Sequence, residues 1–134
     1  MEIKTGTIKQ KAIISATPEE VYDAYLDSKT HSKFTGSKAA ILPKVGGRMS
    51  AWDGYISGKF LELARGRRIV QEWSTTEWPD GYPPSILTIT LKKAGKGTEL
   101  TMVHSKVPKS QMKDYAAGWK EWYWNPLKEY FRSR

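Results

Sequence analysis

The sequence predicts one α+β domain in which a curved antiparallel β-sheet encloses a long C-terminal helix. Three observations lead to this fold class: a capped helix after an initial strand, about six further strand-like segments joined by short turns, and a final segment with helical periodicity. The length of 134 residues suits a single domain over 1–134. A chain of this size can bury a core without the help of a metal or a disulfide.

The N-terminal quarter predicts a strand followed by one or two short helices. Small and β-branched residues alternate weakly over 7–15, which favours a strand. Thr17 and Glu20 have the spacing of a capping box, with a proline at the first helical position, so a helix begins here. We expect this helix to end near residue 28, and a short helical turn to follow over 31–35 before a glycine ends it.

The middle of the chain predicts an antiparallel sheet, because alternating apolar residues are separated by short turns. Asp53-Gly54 between apolar segments indicates a hairpin. Gly58 lies inside a predicted strand, which indicates a bulge or a close approach of two backbones. The predicted strands are 38–42, 48–52, 56–63, 68–75, 85–92 and 98–107, with an irregular loop over 78–84.

The segment 110–132 predicts one long helix with a broad aromatic face. With Trp119 at the centre and about 100° of rotation per residue, the residues within about 60° of it are Met112, Tyr115, Trp122, Tyr123, Pro126 and Tyr130. Charged residues lie on the other sides. Pro126 removes one backbone hydrogen bond and predicts a kink. We expect the aromatic face to pack against the sheet.

The composition excludes several kinds of chemistry. The chain contains no cysteine, which removes disulfides, thiolate metal sites, iron–sulfur clusters and cysteine nucleophiles. It contains two histidines without metal-ligand spacing, and it has neither a phosphate-binding loop nor a nucleophile elbow. The sequence therefore predicts no metal and no cofactor.

The charge favours an anionic partner without choosing one. The net charge is +8, from 22 Lys and Arg against 14 Asp and Glu. The densest basic clusters flank glycines, so we interpret them as solvated loop charges. No apolar run approaches the ~20 residues of a membrane-spanning helix. Residues 1–5 are charged and lack the apolar core of a signal peptide. We expect a cytoplasmic protein that does not insert into membranes.

The aromatic content is the most unusual feature. Six Trp, seven Tyr and three Phe make up 12% of the chain. Such rings could line a pocket for a flat or apolar ligand, or they could simply fill the core. They could also stack nucleic-acid bases, but they are not interleaved with Lys and Arg, so we predict no nucleic-acid partner.

His104 is the best single candidate for acid–base chemistry. It shares a strand face with Leu100 and Met102, which should point inward. An imidazole titrates near neutrality and could transfer a proton. The alternative, which we favour, is a buried histidine that only makes hydrogen bonds.

Short motifs along nearly the whole chain match one known group as a set, although each is weak alone. They are Ala16–Tyr22, Phe34–Ser37, Pro43–Gly47, Trp52–Gly58, Phe60–Leu63, Arg68–Trp73, Trp78-Pro79, Gly97–Leu100, His104–Pro108, Gly118-Trp119, Tyr123-Trp124 and Pro126-Leu127. With these motifs the sequence resembles the START-like (SRPBCC) superfamily. It is most similar to the branch named for the C-terminal domain of the activator of the ninety-kilodalton heat-shock chaperone ATPase.

The resemblance implies a helix-grip fold that often encloses a hydrophobic cavity. It leads to our first hypothesis, a non-catalytic domain that binds a small hydrophobic or aromatic ligand between sheet and C-terminal helix. The predicted ligand-binding residues are Phe34, Trp52, Trp73, His104, Trp119, Trp122 and Tyr123. The alternatives are a co-chaperone-like module that regulates the ATPase of an acidic heat-shock chaperone, and a cyclase- or hydrolase-like enzyme that uses His104.

Overall fold

The computed structural model describes residues 4–78 and 81–133. Outside these residues lie 1–3 of the charged N-terminal segment, Pro79 and Asp80 of the predicted loop, and Arg134.

In the described part of the chain, seven strands form one antiparallel sheet in the order β1-β7-β6-β5-β4-β3-β2, so the first strand pairs with the last. The strands are β1 Thr5–Ile14, β2 Ala40–Ile41, β3 Arg48–Ala51, β4 Ile56–Ala64, β5 Arg68–Thr75, β6 Ser85–Ala94 and β7 Gly97–Pro108. The core lies between the inner face of this sheet and the helices. The predicted α+β helix-grip fold is confirmed.

Four α-helices of the described ranges accompany the sheet: α1 Pro18–Leu26, α2 Ser28–Thr35, α3 Met112–Trp119 and α4 Asn125–Ser133. A 3₁₀ turn, Lys109–Gln111, leads into α3. A π-helical turn, Lys120–Trp124, joins α3 to α4. We call 112–133 the C-terminal helix. None of the helices among the described residues has both the length and the apolar composition needed to span a membrane.

The start of α1 and the end of α2 lie where the sequence predicts, but α1 ends at Leu26 and α2 begins at Ser28, earlier than the predicted 28 and 31. Thr17 Oγ1 accepts from the Glu20 N–H at 3.1 Å, and Glu20 Oε1 accepts from the Thr17 N–H at 2.9 Å, which completes the capping box. Gly36 ends α2 with φ of 79°, a conformation that glycine adopts readily. These caps fix the two helices so that Tyr25 and His31 are buried.

The strand register brings three polar or aromatic side chains together on the inner face. Trp73 of β5 pairs with Ser85 of β6, and Leu87 of β6 pairs with His104 of β7. Side chains alternate between the two faces of a strand, so these four residues all point inward, and all are buried.

The hairpin predicted at Asp53-Gly54 connects β3 to β4. Asp53 and Gly54 have φ of 55° and 92°, and the Tyr55 N–H donates to the Trp52 carbonyl at 3.2 Å, as a type I′ turn requires. The close approach predicted at Gly58 is also present: a Cβ there would lie 1.9 Å from the Glu72 carbonyl oxygen.

The aromatic face of the C-terminal helix is only partly as predicted. Trp119 and Tyr123 are buried, but Trp122 is 52% exposed, and beyond it Leu127 and Phe131 are buried instead of Pro126 and Tyr130. The reason is the π-helical turn, which holds about one extra residue and so rotates the following helix relative to a regular α-helix. The π-helical turn lies directly before α4, and the kink predicted at Pro126 stays a prediction.

Candidate functional site

A cavity of about 490 Å³ opens between the β3–β4 hairpin, the end of β5 and the C-terminal helix. We call it the aromatic pocket. Its volume lies within the ~300–1,000 Å³ typical of small-molecule sites. The lining residues are Trp52, Tyr55, Ile56, Trp73, Glu77, Asp114, Tyr115, Gly118, Trp119, Trp122 and Tyr123.

The walls of the pocket are rings in contact with one another. Trp119 lies 5.6 Å from Trp73 and 4.8 Å from Tyr123, measured between ring centroids. Trp52 meets Trp122 edge to face at 5.8 Å. Rings in such mutual contact have little freedom to turn, so the pocket is largely preformed.

Trp73 presents an unusual donor at this site. Its side chain is only 3% exposed, yet its Nε1–H has no hydrogen-bond partner in the described part of the chain. A buried donor without a partner costs about 1–3 kcal/mol. Trp73 lines the pocket with other atoms of its indole, because Nε1 itself has almost no accessible surface.

His104 lies behind the pocket wall, where it orders a chain of hydrogen bonds. The Trp119 Nε1–H donates to His104 Nδ1 at 3.1 Å, so this nitrogen carries no proton and Nε2 must carry one. Nε2–H then donates to Ser85 Oγ at 2.7 Å, and the Ser85 hydroxyl donates to the Trp73 carbonyl at 2.6 Å. Burial lowers the pKa of His104 to about 3. The histidine is therefore neutral and holds Trp119 in place.

His31 holds Tyr123 in place in a similar way, but it has the opposite tautomer. Its Nδ1–H donates to the Tyr25 carbonyl at 2.8 Å, and its Nε2 accepts from the Tyr123 hydroxyl at 2.9 Å. Burial lowers the pKa of His31 to about 4, against a smaller opposing effect of the bond to the Tyr25 carbonyl. Phe34 packs against both rings, 5.0 Å from His31 and 6.1 Å from Tyr123.

The rim of the pocket is acidic. The exposed carboxylates of Glu77 and Asp114 line it, whereas its described lining contains no Lys, Arg or His. The Tyr55 hydroxyl donates to Glu77 Oε2 at 3.0 Å. The Tyr115 hydroxyl is bonded to Thr75 Oγ1 at 2.8 Å and to Gln111 Oε1, and burial raises its pKa to about 12.

Five of the seven residues predicted from the sequence line the aromatic pocket: Trp52, Trp73, Trp119, Trp122 and Tyr123. His104 and Phe34 do not line it, and each instead packs against rings that do. Sequence reasoning did not select six lining residues: Tyr55, Ile56, Glu77, Asp114, Tyr115 and Gly118. Tyr115 could have been selected as a lining residue, because it lies on the predicted aromatic face of the C-terminal segment. In the described residues no group of three or more His, Asp or Glu side chains could hold a metal ion.

Fold and pocket together define a class of protein, an α+β domain whose sheet holds a C-terminal helix beside an apolar cavity. A family model described as "Activator of Hsp90 ATPase homolog 1-like protein" matches residues 15–132. The match covers most of the chain, and the chain belongs to this family.

Individual proteins that are similar to this chain point to the same family. The activator of 90 kDa heat shock protein ATPase homolog 1 of Homo sapiens is 29% identical over 131 residues, which are 98% of this chain but 38% of that protein. The chain thus spans about two-fifths of the length of this curated relative. The crystal structure of an HSP90 activator from Plasmodium falciparum has a TM-score of 0.82 at 24% identity, over 90% of this chain and 92% of that one. The Aha1 dimer of Colwellia psychrerythraea has a TM-score of 0.80 at 17% identity, over 94% of this chain and 96% of that one, and shows the shared fold.

Proposed function

We propose that this protein binds a small, largely apolar aromatic ligand in the aromatic pocket, and that it does so without chemical conversion. The observation that supports this most directly is the pocket itself, which is preformed and walled by rings in mutual contact. A ligand that fills it would exchange water for contacts with these rings.

The hydrogen bonds behind the wall support binding rather than catalysis. Both nitrogens of His104 are occupied, by Trp119 and Ser85, and its low pKa keeps it neutral near pH 7. A general acid or base needs to reach the substrate and to change protonation near the working pH. His104 meets neither condition, so we assign it the role of positioning Trp119.

Filling the pocket tests the proposal. Gly118 lines the pocket, and among the described residues outside its own helix backbone and chain neighbours, a Cβ added there would meet Trp122 Cδ1 at 3.7 Å and nothing else within 4 Å. A Gly118→Leu variant should therefore fold and place its side chain in the ligand's space. Ala117→Leu, on an exposed neighbouring position of the same helix, is the matched control.

The probe is a neutral methoxynaphthalene that carries a hydroxyethyl group, titrated by calorimetry while the Trp73 indole N–H resonance is followed. We expect binding to the wild type and to Ala117→Leu, a shift of the Trp73 resonance, and a loss of at least about tenfold in affinity for Gly118→Leu. The absence of binding to the wild type, or equal binding by both leucine variants, would overturn the proposal.

The family supports a second candidate, regulation of an Hsp90-type chaperone ATPase. The human and Plasmodium relatives are both named as activators of this chaperone. The net charge of +8 is suited to an acidic partner surface.

This second candidate predicts that the purified domain binds the Hsp90-type chaperone of its own organism at low ionic strength. Binding should weaken as salt screens the charges, and ATP turnover by the chaperone should change. Gly118→Leu should bind the chaperone as the wild type does, because its change lies inside the aromatic pocket. An absence of binding at low salt would exclude this function.

A further inference from the structure

The rim of the aromatic pocket has a charge opposite to that of the protein. The chain carries a net charge of +8, yet the rim presents the carboxylates of Glu77 and Asp114. Within the described residues neither carboxylate has a Lys or Arg partner at ion-pair distance, whereas Glu62, Glu72, Glu99, Asp23 and Glu129 do.

The electrostatics of the rim disfavour an anionic ligand. A carboxylate-bearing molecule, such as a fatty acid, would bring its charge beside two like charges without a compensating cation in the described lining. A cation would meet attraction from the same groups. It would also meet the electron-rich faces of nearby indoles, since Trp52 and the half-exposed Trp122 form the outer part of the wall.

Deeper in the pocket, around Trp73, the surroundings favour a different part of the ligand. Trp73 is 3% exposed, its Nε1–H lacks an acceptor, and it packs against Trp119 and Tyr115 at centroid distances of 5.6 and 5.1 Å. This region favours an uncharged ring, because a charge placed there would lose its hydration without gaining a partner. The Trp73 N–H itself has almost no accessible surface, so it does not open into the pocket.

We propose that the aromatic pocket selects a cationic aryl-alkylamine, with its ring toward Trp73 and its ammonium group at the rim beside Glu77 and Asp114. This inference rests on the proposed ligand-binding function and adds the chemical class and the orientation of the ligand. Glu77 is held toward the rim by the hydroxyl of Tyr55, whose hydrogen bond leaves the second carboxylate oxygen for the ammonium group.

Three matched probes test the class. Each carries the same methoxynaphthalene ring, with an ethylammonium, a hydroxyethyl or a carboxymethyl group. Calorimetry should show the ammonium probe binding about five- to tenfold more tightly than the alcohol, because each exposed ion pair contributes only a modest free energy. The carboxylate probe should bind most weakly, and salt should reduce the advantage of the ammonium probe.

Variants locate the effect. The double variant Glu77→Gln/Asp114→Asn should reduce the ratio of the ammonium probe's affinity to that of the alcohol to less than about twofold. Glu121→Gln, which removes one exposed negative charge from the same helix outside the pocket, should leave the advantage unchanged.

The outcomes separate the two proposals. If the alcohol binds but the ammonium probe binds no better, or if the advantage persists in the double variant, the inference about the cation is overturned and the proposed pocket stands. If none of the three probes binds, both are overturned.

Discussion

The indole N–H of Trp119 donates to Nδ1 of His104 across 3.1 Å, and this one bond fixes the tautomer of a fully buried imidazole. Trp is a donor only, so the proton of His104 must lie on Nε2. In His31 the acceptor is the Tyr25 carbonyl at Nδ1, so the proton lies there. The two histidines of the chain therefore hold two walls of the aromatic pocket with opposite tautomers.

The tautomers and the protonation of both histidines can be observed directly. We expect long-range ¹H–¹⁵N correlation spectra to show the Nε2–H form for His104 and the Nδ1–H form for His31. Neither imidazole should titrate between pH 8 and pH 5, because burial lowers the pKa values to about 3 and about 4. Titration of either ring near pH 6.5, or the same tautomer in both, would contradict the network.

The same shifts predict how stability depends on pH. Below about pH 6.5 the histidines of the unfolded chain bind protons, whereas the histidines of the folded chain stay unprotonated. The free energy of unfolding therefore falls as the pH falls. The loss is complete only below the folded pKa values. Each histidine should contribute up to about 1.4 kcal/mol per pH unit within this window. Urea unfolding at pH 8, 6 and 5 measures the slope, and replacement of His31 by Phe should make it shallower.

Replacing Ser85 with alanine should lower the stability of the protein far more than replacing Ser105 on the neighbouring strand. Ser85→Ala leaves the buried Nε2–H of His104 without an acceptor, which should cost about 1–3 kcal/mol of unfolding free energy. Ser105 is half-buried and donates to the Ile86 carbonyl only at 3.5 Å, so Ser105→Ala should cost less than about 0.5 kcal/mol. Equal losses in urea unfolding would show that the Ser85–His104 bond contributes nothing.

The π-helical turn gives a prediction that regular helical periodicity reverses. Trp122 is 52% exposed, so Trp122→Ala should cost less than about 1 kcal/mol of stability, whereas Leu127→Ala, at 1% exposure, should cost about 2–5 kcal/mol. A regular α-helix centred on Trp119 would give the larger cost to Trp122. Chemical denaturation of the two variants therefore distinguishes the two helical phases.

Local signals predicted most of the fold because they act over a few residues. The capping box at Thr17, the turn at Asp53-Gly54 and the alternation in β5 each depend on neighbours in sequence, and all three are present. β2 is shorter than predicted, with only Ala40–Ile41 paired, since an edge strand has one neighbour to hold it. The π-helical turn could not be predicted from regular helical periodicity, and it changes which residues of α4 are buried.

The pocket could be predicted only in part, because several of its residues come together only through tertiary packing. Large rings on inward faces predicted Trp73 and Trp119, because the strand and helix periods place them there. Glu77 and Asp114 gave no local signal, since they meet at the rim only through the packing of the C-terminal helix beside β5. His104 was assigned an inward position correctly, but its hydrogen-bond partners come from Ser85 and Trp119, on two other elements.

Two glycines predict opposite effects of the same substitution. At Gly58 a Cβ would lie 1.9 Å from the Glu72 carbonyl oxygen, so Gly58→Ala should destabilise the protein by at least about 1–3 kcal/mol. At Gly118, inside α3, a Cβ has no contact shorter than 3.7 Å, so Gly118→Ala should stabilise it by about 0.5–1 kcal/mol. Thermal unfolding of both variants checks the pair, and a stable Gly58→Ala would contradict the close approach of β4 and β5.

Trp52 gives the last prediction, because it combines a pocket wall with a strained backbone. Its φ is 54°, in the left-handed region that large side chains rarely adopt. At such a position glycine is favoured over alanine by about 1 kcal/mol, the reverse of the order in a regular element. Trp52→Gly should therefore be more stable than Trp52→Ala in chemical denaturation.

Both variants remove the ring that packs edge to face on Trp122, so both should bind the methoxynaphthalene probes more weakly than the wild type. If Trp52→Ala is the more stable of the two, the backbone is not strained there; if probe binding is unchanged, the ring is not part of the site. Both results as expected would mean that the hairpin accepts a strained residue in order to place an indole at the mouth of the pocket, as strained positions at functional sites commonly do.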